Sequence, residues 1–320
     1  MTNYIQTGTT AVPYVLDGND SLAVLGTLTG DISATGETNS VLIDGTVINS
    51  LGGYTITYQG IGSESSLYVG QAGAIRFMGT GGTAVLIGGS VSTGREMAIE
   101  NHGQIYGANG IDLAGPDNTD ILNYGTVTST GSFAAISFAA IKVYGDNTYV
   151  RNFGAVSAND IGILVVGTTS DRSQIFNHGT IAARDAITAE AIFALDLTNT
   201  GLVSGDIKVG SDRFDFDNTG IVTGDVNAGG VTDFMKLTNA GDITGFVFMS
   251  DQDDTYIARN GGTATQVRGE GGADLMKDRP AMIFSTRAAA LTWCAAVRVR
   301  TNFTAAAQVT GCSAALTTTY

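Results

Sequence analysis

The chain has 320 residues, a formal net charge of −14, 44 glycines and only 3 prolines. This length fits one elongated domain or two compact ones. The acidic balance disfavours nucleic acid and anionic lipid as partners and favours divalent cations. No apolar run in the sequence is long enough to span a bilayer.

The first 20 residues match no repeat, and we expect them to form a cap over the open end of the fold that follows. They lack the basic and apolar regions of a cleaved secretory signal peptide. Three segments further on, which begin at Gly26, Val41 and Val85, resemble weak copies of the repeat described next. In the second and third, Asp44 and Gly88 stand in place of its asparagine.

An Asn-x-Gly-x-aliphatic unit then recurs seven times, at intervals of 19 to 29 residues. Short β-rich runs such as Ile161–Val166 separate the copies, and no stretch has the apolar period of a helix. A unit at this spacing predicts an all-β fold, a right-handed parallel β-helix (β-solenoid) with one coil per copy. The asparagines are Asn101, Asn123, Asn152, Asn177, Asn199, Asn218 and Asn239.

Stacked asparagines can hydrogen-bond to one another along a column, as they do in other stacked sheets. We therefore expect a structural row, with a polar ligand-binding row as the alternative. The glycine two residues later is expected to adopt a positive φ at a corner. His102 and His178 both follow their asparagine directly. They lie three coils apart, so we expect exposed corner residues rather than a shared metal site.

Residues 251–276 are rich in Asp and Gly. Residues 269–276 resemble one unit of the calcium-binding nonapeptide of the haemolysin-type (RTX) repeat proteins of bacteria, G-G-x-G-x-D-x-U-x, although Glu270 replaces the second glycine. The resemblance implies a Ca²⁺ site in which turn carbonyls and carboxylates supply the oxygen ligands. The implied metal-binding residues are Gly269, Gly271, Gly272 and Asp274, together with Asp251, Asp253 and Asp254.

The composition changes abruptly after residue 276. Residues 1–276 carry a net charge of −18, whereas residues 277–320 carry +4 and contain both cysteines and the only tryptophan. Such a change is typical of a low-complexity tail, but it also arises when a gene is read out of frame. We can test the second interpretation against the genetic code.

In the shifted frame, each codon consists of the third base of one original codon and the first two bases of the next. In this frame the tail permits aspartate codons that begin in the codons of residues 282, 291, 300, 309 and 318. The first of these is forced, because the Met282 codon ATG followed by AT gives GAT. Their nine-residue spacing is the period of the nonapeptide. The sequence therefore favours an RTX array read out of frame, with a genuine low-complexity tail as the alternative.

The predicted organisation is a cap over residues 1–20, a solenoid over 21–250, the start of a calcium-binding region over 251–276 and the tail over 277–320. The family resemblance implies one-step (type I) export with a C-terminal signal and folding in extracellular calcium. We therefore expect a secreted, extracellular or cell-surface protein with a structural, adhesive or toxin-like role. Calcium ions and a cell-surface or matrix polysaccharide are the expected partners, and no catalytic residue is assigned.

The alternative is a polysaccharide-active lyase, hydrolase or epimerase, because parallel β-helices often carry carbohydrate-active sites along one face. Such chemistry needs carboxylates and a base or cation on adjacent coils. No phosphate loop, serine nucleophile elbow or zinc-binding helix motif is present. The candidate residues, all within one coil, are Lys208, Asp212, Arg213, Asp215 and Asp217.

Overall fold

The computed structural model describes residues 2–36, 38–59, 65–88, 97–114, 118–132, 138–144, 147–167 and 172–277, and the backbone of residues 290–294 and 308–311. These residues are all β, without a helix, and their parallel strands stack into a solenoid of about 11 turns. The β-solenoid predicted from the repeat is therefore confirmed. No helix capable of crossing a membrane occurs in the described part of the chain.

Three short strands separated by corners make up a typical coil, and in four strands, β23, β24, β28 and β30, the chain runs from one sheet into the next without a break. The strands in chain order are β1 (Asn3–Gln6), β2 (Thr9–Thr10), β3 (Tyr14–Leu16), β4 (Ser21–Val24), β5 (Thr27–Thr29), β6 (Ile32–Thr35), β7 (Ser40–Ile43), β8 (Thr46–Asn49), β9 (Tyr54–Gln59), β10 (Ser65–Val69), β11 (Ala74–Phe77), β12 (Thr83–Gly88), β13 (Met97–Asn101), β14 (Gln104–Gly107), β15 (Asn109–Ala114), β16 (Asp120–Asn123), β17 (Thr126–Ser129), β18 (Ala139–Tyr144), β19 (Tyr149–Asn152), β20 (Ala155–Ala158), β21 (Ile161–Val166), β22 (Arg172–Asn177), β23 (Thr180–Asn199), β24 (Leu202–Asn218), β25 (Ile221–Val222), β26 (Val226–Asn227), β27 (Phe234–Asn239), β28 (Asp242–Phe248), β29 (Thr255–Ala258), β30 (Thr263–Arg268), β31 (Ala273–Lys277), β32 (Ala290–Cys294) and β33 (Gln308–Gly311).

The strands form three parallel sheets that run the length of the solenoid. The first sheet contains β1, β4, β7, β10, β13, β16, β19, β22, the ends of β23 and β24, and then β27, β29, β31, β32 and β33. The second contains β2, β5, β8, β11, β14, β17, β20, the starts of β23 and β24, β25, and the starts of β28 and β30. The third contains β3, β6, β9, β12, β15, β18, β21, the middle parts of β23 and β24, β26, and the ends of β28 and β30.

The core is a set of apolar columns inside the three sheets. Side chains alternate in and out along each strand, so the same register puts an apolar residue at the same inward place on every coil. One such column in the first sheet contains Ile99, Ile121, Val150, Ile175 and Leu197, each at most 1% exposed. Each coil thus buries its apolar side chains against its neighbours.

The seven asparagines form one column at the end of the first-sheet strands, as predicted. All are at most 1% exposed. The Nδ2 of each asparagine donates to the Oδ1 of the next, at 2.7 or 2.8 Å, from Asn101 to Asn239. Nδ2 of Asn239 ends the row by donating to the Thr263 carbonyl at 2.8 Å. The row is therefore structural, and its amides are hydrogen-bonded from end to end.

Glycine is required in each unit for a different reason from the one predicted. None of the seven has a positive φ, so that expectation is wrong. Instead, a Cβ atom at Gly125 would lie well within 3.0 Å of the Gly103 carbonyl oxygen on the preceding coil, closer than Cβ atoms are found. The same carbonyl contact recurs at other coils, and glycine is required because the backbones touch. It recurs at Gly26, Gly45, Gly73, Gly103, Gly154, Gly179, Gly201, Gly220 and Gly241.

The weak early copies fit this column only in part. Gly45 lies in the glycine column, but Ile43, and not Asp44, aligns with the asparagines through Val69. Gly88 belongs to the third sheet, where β12 pairs with β15, so the interpretation of that segment as a copy of the unit is wrong. Its coil turns the same corner at Gly73.

Both ends of the chain take part in the stack. β1, β2 and β3, within the segment assigned to a cap, pair in register with β4, β5 and β6 and form the first coil. At the other end, β31 pairs with β32, and β32 with β33. Apart from the backbone of β32 and β33, the tail after residue 277 lies outside the described residues.

The asparagine column predicts the effect of Asn177→Ala. This change leaves the Asn152 amide donor and the Asn199 acceptor without their partners inside the stack. We expect the free energy of unfolding to fall by about 1–3 kcal/mol, measured by urea denaturation. The control is Asn227→Ala, because that side chain is exposed and bonds only within its own turn. Equal losses in the two variants would contradict the structural role of the column.

The carbonyl contact predicts the effect of Gly125→Ala. The added methyl group meets backbone atoms that cannot move without shifting a coil. We expect a loss of about 1–3 kcal/mol, the usual cost of an overpacked interior. Gly53→Ala is the matched control, since a Cβ there meets nothing within 4 Å. Melting temperatures of both variants provide the measurement, and an unchanged value for Gly125→Ala would refute the contact.

Candidate functional site

The residues implied as calcium ligands lie in two stacked turns near the C-terminal end of the described solenoid. The turn of residues 269–272 rests on the turn of residues 251–253 of the preceding coil. A Cβ on Gly271 would lie 3.0 Å from the Cα of Asp251. Gly272 approaches the Gln252 carbonyl too closely for any side chain, and its φ is +78°. The fold therefore brings the two acidic, glycine-rich segments together.

Asp254 has both carboxylate oxygens occupied. Its Oδ1 accepts the N–H of Met235 at 2.6 Å, and its Oδ2 accepts the N–H and the Oγ–H of Ser250 at 2.7 and 2.8 Å. The residue is 1% exposed, and burial raises the pKa of its carboxyl despite these donors. Asp254 therefore closes the corner between two coils and has no free oxygen to offer.

Asp274 is in register with Asp254 on the next coil, one residue before the paired Thr255 and Leu275. Its Oδ1 accepts the N–H of Asp254 at 3.1 Å, but its Oδ2 is buried and has no hydrogen-bond partner among the described residues. Asp274 is fully buried, and burial raises its pKa to about 7, with the nearby Asp254 and Asp253 charges adding to the shift. A buried carboxylate with a free oxygen needs either a proton or a cation.

The same corner carries a polar side chain at the other end of the solenoid. Asp20 Oδ1 accepts the Thr2 N–H at 2.6 Å, Asn39 Oδ1 accepts the Asp20 N–H at 3.3 Å, and Ser65 Oγ accepts the Asn39 N–H at 3.2 Å. A polar residue directly before a first-sheet strand is the sequence signal for this role, and the sequence reasoning missed it. This structural role, accepting a backbone N–H at the corner, explains Asp254 and the Oδ1 of Asp274. It does not explain the buried Oδ2 of Asp274.

The described residues do not form a complete calcium site. Ca²⁺ takes about six to eight oxygen ligands. No group of three or more His, Cys, Asp or Glu side chains suited to a metal occurs among the described residues. Asp251 and Asp253 are exposed, and Asp253 Oδ1 already accepts the Ala273 N–H at 2.7 Å. Any complete site at Asp274 would need oxygen atoms from the following coil.

The residues considered for polysaccharide chemistry are not brought together as a set. Lys208 lies in the third sheet and bonds to Asp185 at 2.6 Å. Asp212 accepts a hydrogen bond from Thr232 at 2.8 Å, and the Arg213 guanidinium lies 4.4 Å from the centre of the Phe234 ring. Arg213, Asp215 and Asp217, however, alternate with buried residues at the end of β24 and share its outward face, whereas Lys208 lies apart in the third sheet.

Asp215 does have an acidic neighbour that the sequence reasoning missed. It pairs in register with Asp196, and Arg172 lies 3.3 Å from a carboxylate oxygen of each. Burial raises the pKa of Asp196, and the charge of Asp215 contributes in the same direction. The signal was present, because Asp196 and Asp215 each precede the asparagine of their own unit by three residues.

The residues that follow the asparagines form an aromatic stack at the corner. The rings of His102, Tyr124, Phe153 and His178 have centroids 4.7, 5.0 and 4.8 Å apart and are within 18° of parallel. Tyr68 extends the stack, 5.4 Å from His102. Two rings thus lie between the histidines, whose nitrogens bond to Glu100 and Thr200 at 2.6 and 2.7 Å. The ring faces cover one another, which makes the stack a structural element of the corner.

Comparisons with protein-family models, with curated proteins and with solved structures give no match. The functional assignment consequently rests on the geometry of the chain itself.

The free oxygen of Asp274 predicts a pH-dependent stability in the absence of metal. The folded chain keeps this proton up to about pH 7, whereas the unfolded chain loses it near the ordinary pKa of 3.8. The unfolded state therefore binds fewer protons in this window, and the free energy of unfolding falls as pH rises from about 4 to about 7. Asp274→Asn removes the titration and should melt higher than the wild type above pH 7.

Melting temperatures in a chelator, measured between about pH 4 and pH 8, provide the test. The difference in melting temperature between wild type and Asp274→Asn should grow as pH rises from about 4 to about 7 and then level off. Asp217→Asn removes an exposed carboxylate of the same sheet and controls for the lost charge. Parallel profiles for wild type and Asp274→Asn would show that Asp274 is not the titrating group.

Proposed function

We propose that this chain is a non-enzymatic, exported β-solenoid that binds calcium at its C-terminal end and has a structural or adhesive role outside the cell. The single observation that carries this proposal is the buried Oδ2 of Asp274, which has no hydrogen-bond partner in the described part of the chain. It lies in the glycine-rich turn that resembles an RTX nonapeptide, on top of a second acidic turn. A divalent cation is the natural partner for such an oxygen, because it replaces the missing proton and accepts hard oxygen ligands.

The backbone register of the last strands supports a continuation of this site. Asp274 pairs with Leu291 in β32, and Leu291 pairs with Val309 in β33. These are two of the positions at which the shifted reading frame permits aspartate. A chain in the restored frame would therefore extend the column of Asp254 and Asp274 with two further carboxylates. Each added coil would supply oxygen ligands to the face that Asp274 leaves incomplete.

Calcium binding at this end would make folding of the terminal coils depend on the high calcium concentration outside the cell. Because burial raises the pKa of Asp274, ionisation of its carboxyl without a bound cation lowers the stability of the terminal coils at neutral pH. A ligand that binds only the folded state stabilises it by mass action. Cytoplasm poor in calcium would leave this end loosely folded for export, and extracellular calcium would complete it. The remaining coils hold together through the asparagine row and the apolar core, which suits a rigid stalk or surface layer.

The test compares melting curves in chelator and in millimolar Ca²⁺ for the 320-residue chain and for a frame-restored chain. We expect calcium to raise the melting temperature slightly in the first chain and strongly and cooperatively in the second. At a free ion concentration of about 100 times Kd, the gain should approach about 2.7 kcal/mol. Reading the gene across codons 270–320 establishes which of the two chains occurs naturally.

Asp274→Asn in the frame-restored chain is the matched variant, and it should lose much of the calcium-induced shift. Mg²⁺ at the same concentration controls for non-specific ionic effects, because it holds its water more tightly and demands octahedral geometry. A frame-restored chain whose melting temperature ignores calcium would refute the proposal.

A further inference from the structure

A shallow groove of about 460 Å³ lies on the outer face of the first sheet, far along the chain from the calcium end. Its walls are formed by β16, β19 and β22 on three successive coils. None of its residues is needed for the core or for the asparagine row. The lining residues are Asp120, Tyr149, Arg151, Gln174, Phe176 and His178.

Strand register places these side chains in two adjacent outward rows. Asp120, Tyr149 and Gln174 succeed one another in the first row. Arg151 and Phe176 succeed one another in the second. Each coil advances the rows by the spacing of hydrogen-bonded strands, about 4.8 Å. The two rows therefore run in a straight line along the solenoid axis over three coils, a shape that suits a linear polymer better than a compact molecule.

The lining alternates aromatic rings with planar polar groups. Tyr149 is 39% exposed, so one ring remains available to a ligand. Arg151 donates two hydrogen bonds to the Asp120 carboxylate, one of them from Nε at 3.3 Å. Both side chains are 42% exposed, which leaves further guanidinium donors and carboxylate lone pairs free. Gln174 adds an amide that can donate and accept.

We infer that this groove binds a linear, uncharged polysaccharide. A pyranose ring has an apolar face of C–H bonds, which packs on aromatic rings, and a rim of hydroxyls, which both donate and accept hydrogen bonds. A groove with Tyr149 and Phe176 beside an Asp–Arg pair and an amide matches both features. The ligand spans the three coils from Asp120 to His178 and runs parallel to the solenoid axis.

Charge selects the class of polysaccharide. The same outward rows continue into Asp196, Asp215 and Asp217 on the next two coils. These three carboxylates are balanced by cations on the same face, Arg172, Arg213 and Lys236. The body of the chain as a whole, residues 1–276, carries a net charge of −18. Uronate or sulfated chains would be repelled by this net charge. Chains of neutral hexoses or of N-acetylated sugars would not.

The experiment is isothermal titration of the full chain with uncharged hexasaccharides of β-1,4-glucose, α-1,4-glucose, β-1,4-mannose and β-1,4-N-acetylglucosamine. Hexagalacturonate and free glucose are included as charged and monomeric probes. We expect at least one uncharged hexasaccharide to bind, and free glucose and hexagalacturonate to bind at least about tenfold more weakly, a difference of about 1.4 kcal/mol. All titrations are run in chelator and repeated in calcium. Equal affinity in the two buffers would show that sugar binding does not depend on calcium, so this inference and the calcium proposal can fail separately.

Tyr149→Ala and Phe176→Leu should each weaken the binding by about tenfold. Tyr54→Ala is the matched control, because Tyr54 is 43% exposed but lies in β9 of the third sheet. Melting curves of all variants confirm that they are folded, and Phe176→Leu keeps most of the buried bulk. The inference is overturned if no uncharged hexasaccharide binds at millimolar concentration, if hexagalacturonate binds best, or if Tyr54→Ala weakens binding as much as Tyr149→Ala.

Discussion

The close approach of one coil to the next at the glycine corner is the constraint on which the solenoid depends. Hydrogen-bonded parallel strands lie about 4.8 Å apart. At this corner the carbonyl of one coil points at the Cα of the glycine above it, with no space for a Cβ. Glycine at this place lets every coil close at the same spacing. Straight apolar columns, the asparagine row and the aromatic stack all require that constant spacing.

Two corners of the first sheet carry polar columns of different chemistry: the asparagines lie at the strand ends, whereas Asp254 and Asp274 lie at the strand starts. A carboxamide both donates and accepts, so a column of asparagines satisfies itself, each Nδ2 bonding to the next Oδ1. An ionised carboxylate only accepts, and a column of aspartates therefore needs donors from elsewhere. Ser250 and Met235 supply them to Asp254. Among the residues that the structure describes, Asp274 receives only one donor, the Asp254 backbone N–H, and its remaining oxygen needs a proton or a cation.

The outward positions are free of these constraints. A residue that points to solvent on a first-sheet strand can change without disturbing the stacking, as the succession of Asp120, Tyr149 and Gln174 at one place illustrates. A solenoid thus separates its stability, which depends on inward and corner residues, from its recognition surface. The acidic turns at the C-terminal end and the outer groove are independent for this reason, since they lie on different coils.

The sequence by itself determined the repeat, the all-β class and the column of asparagines, because the same Asn-x-Gly-x-aliphatic unit recurs once per coil. It also located the acidic, glycine-rich turns. It did not determine why glycine follows each asparagine, since the cause is a contact with another coil and not a local φ. Nor did it distinguish Asp254 from Asp274, because the difference lies in the donors that surround each one. The rows of the groove could be read from the sequence, because Asp120, Tyr149 and Gln174 each precede the asparagine of their unit by three residues. Only the tertiary structure decided that these rows border a groove, since that depends on how far each side chain extends from the outer face of the sheet.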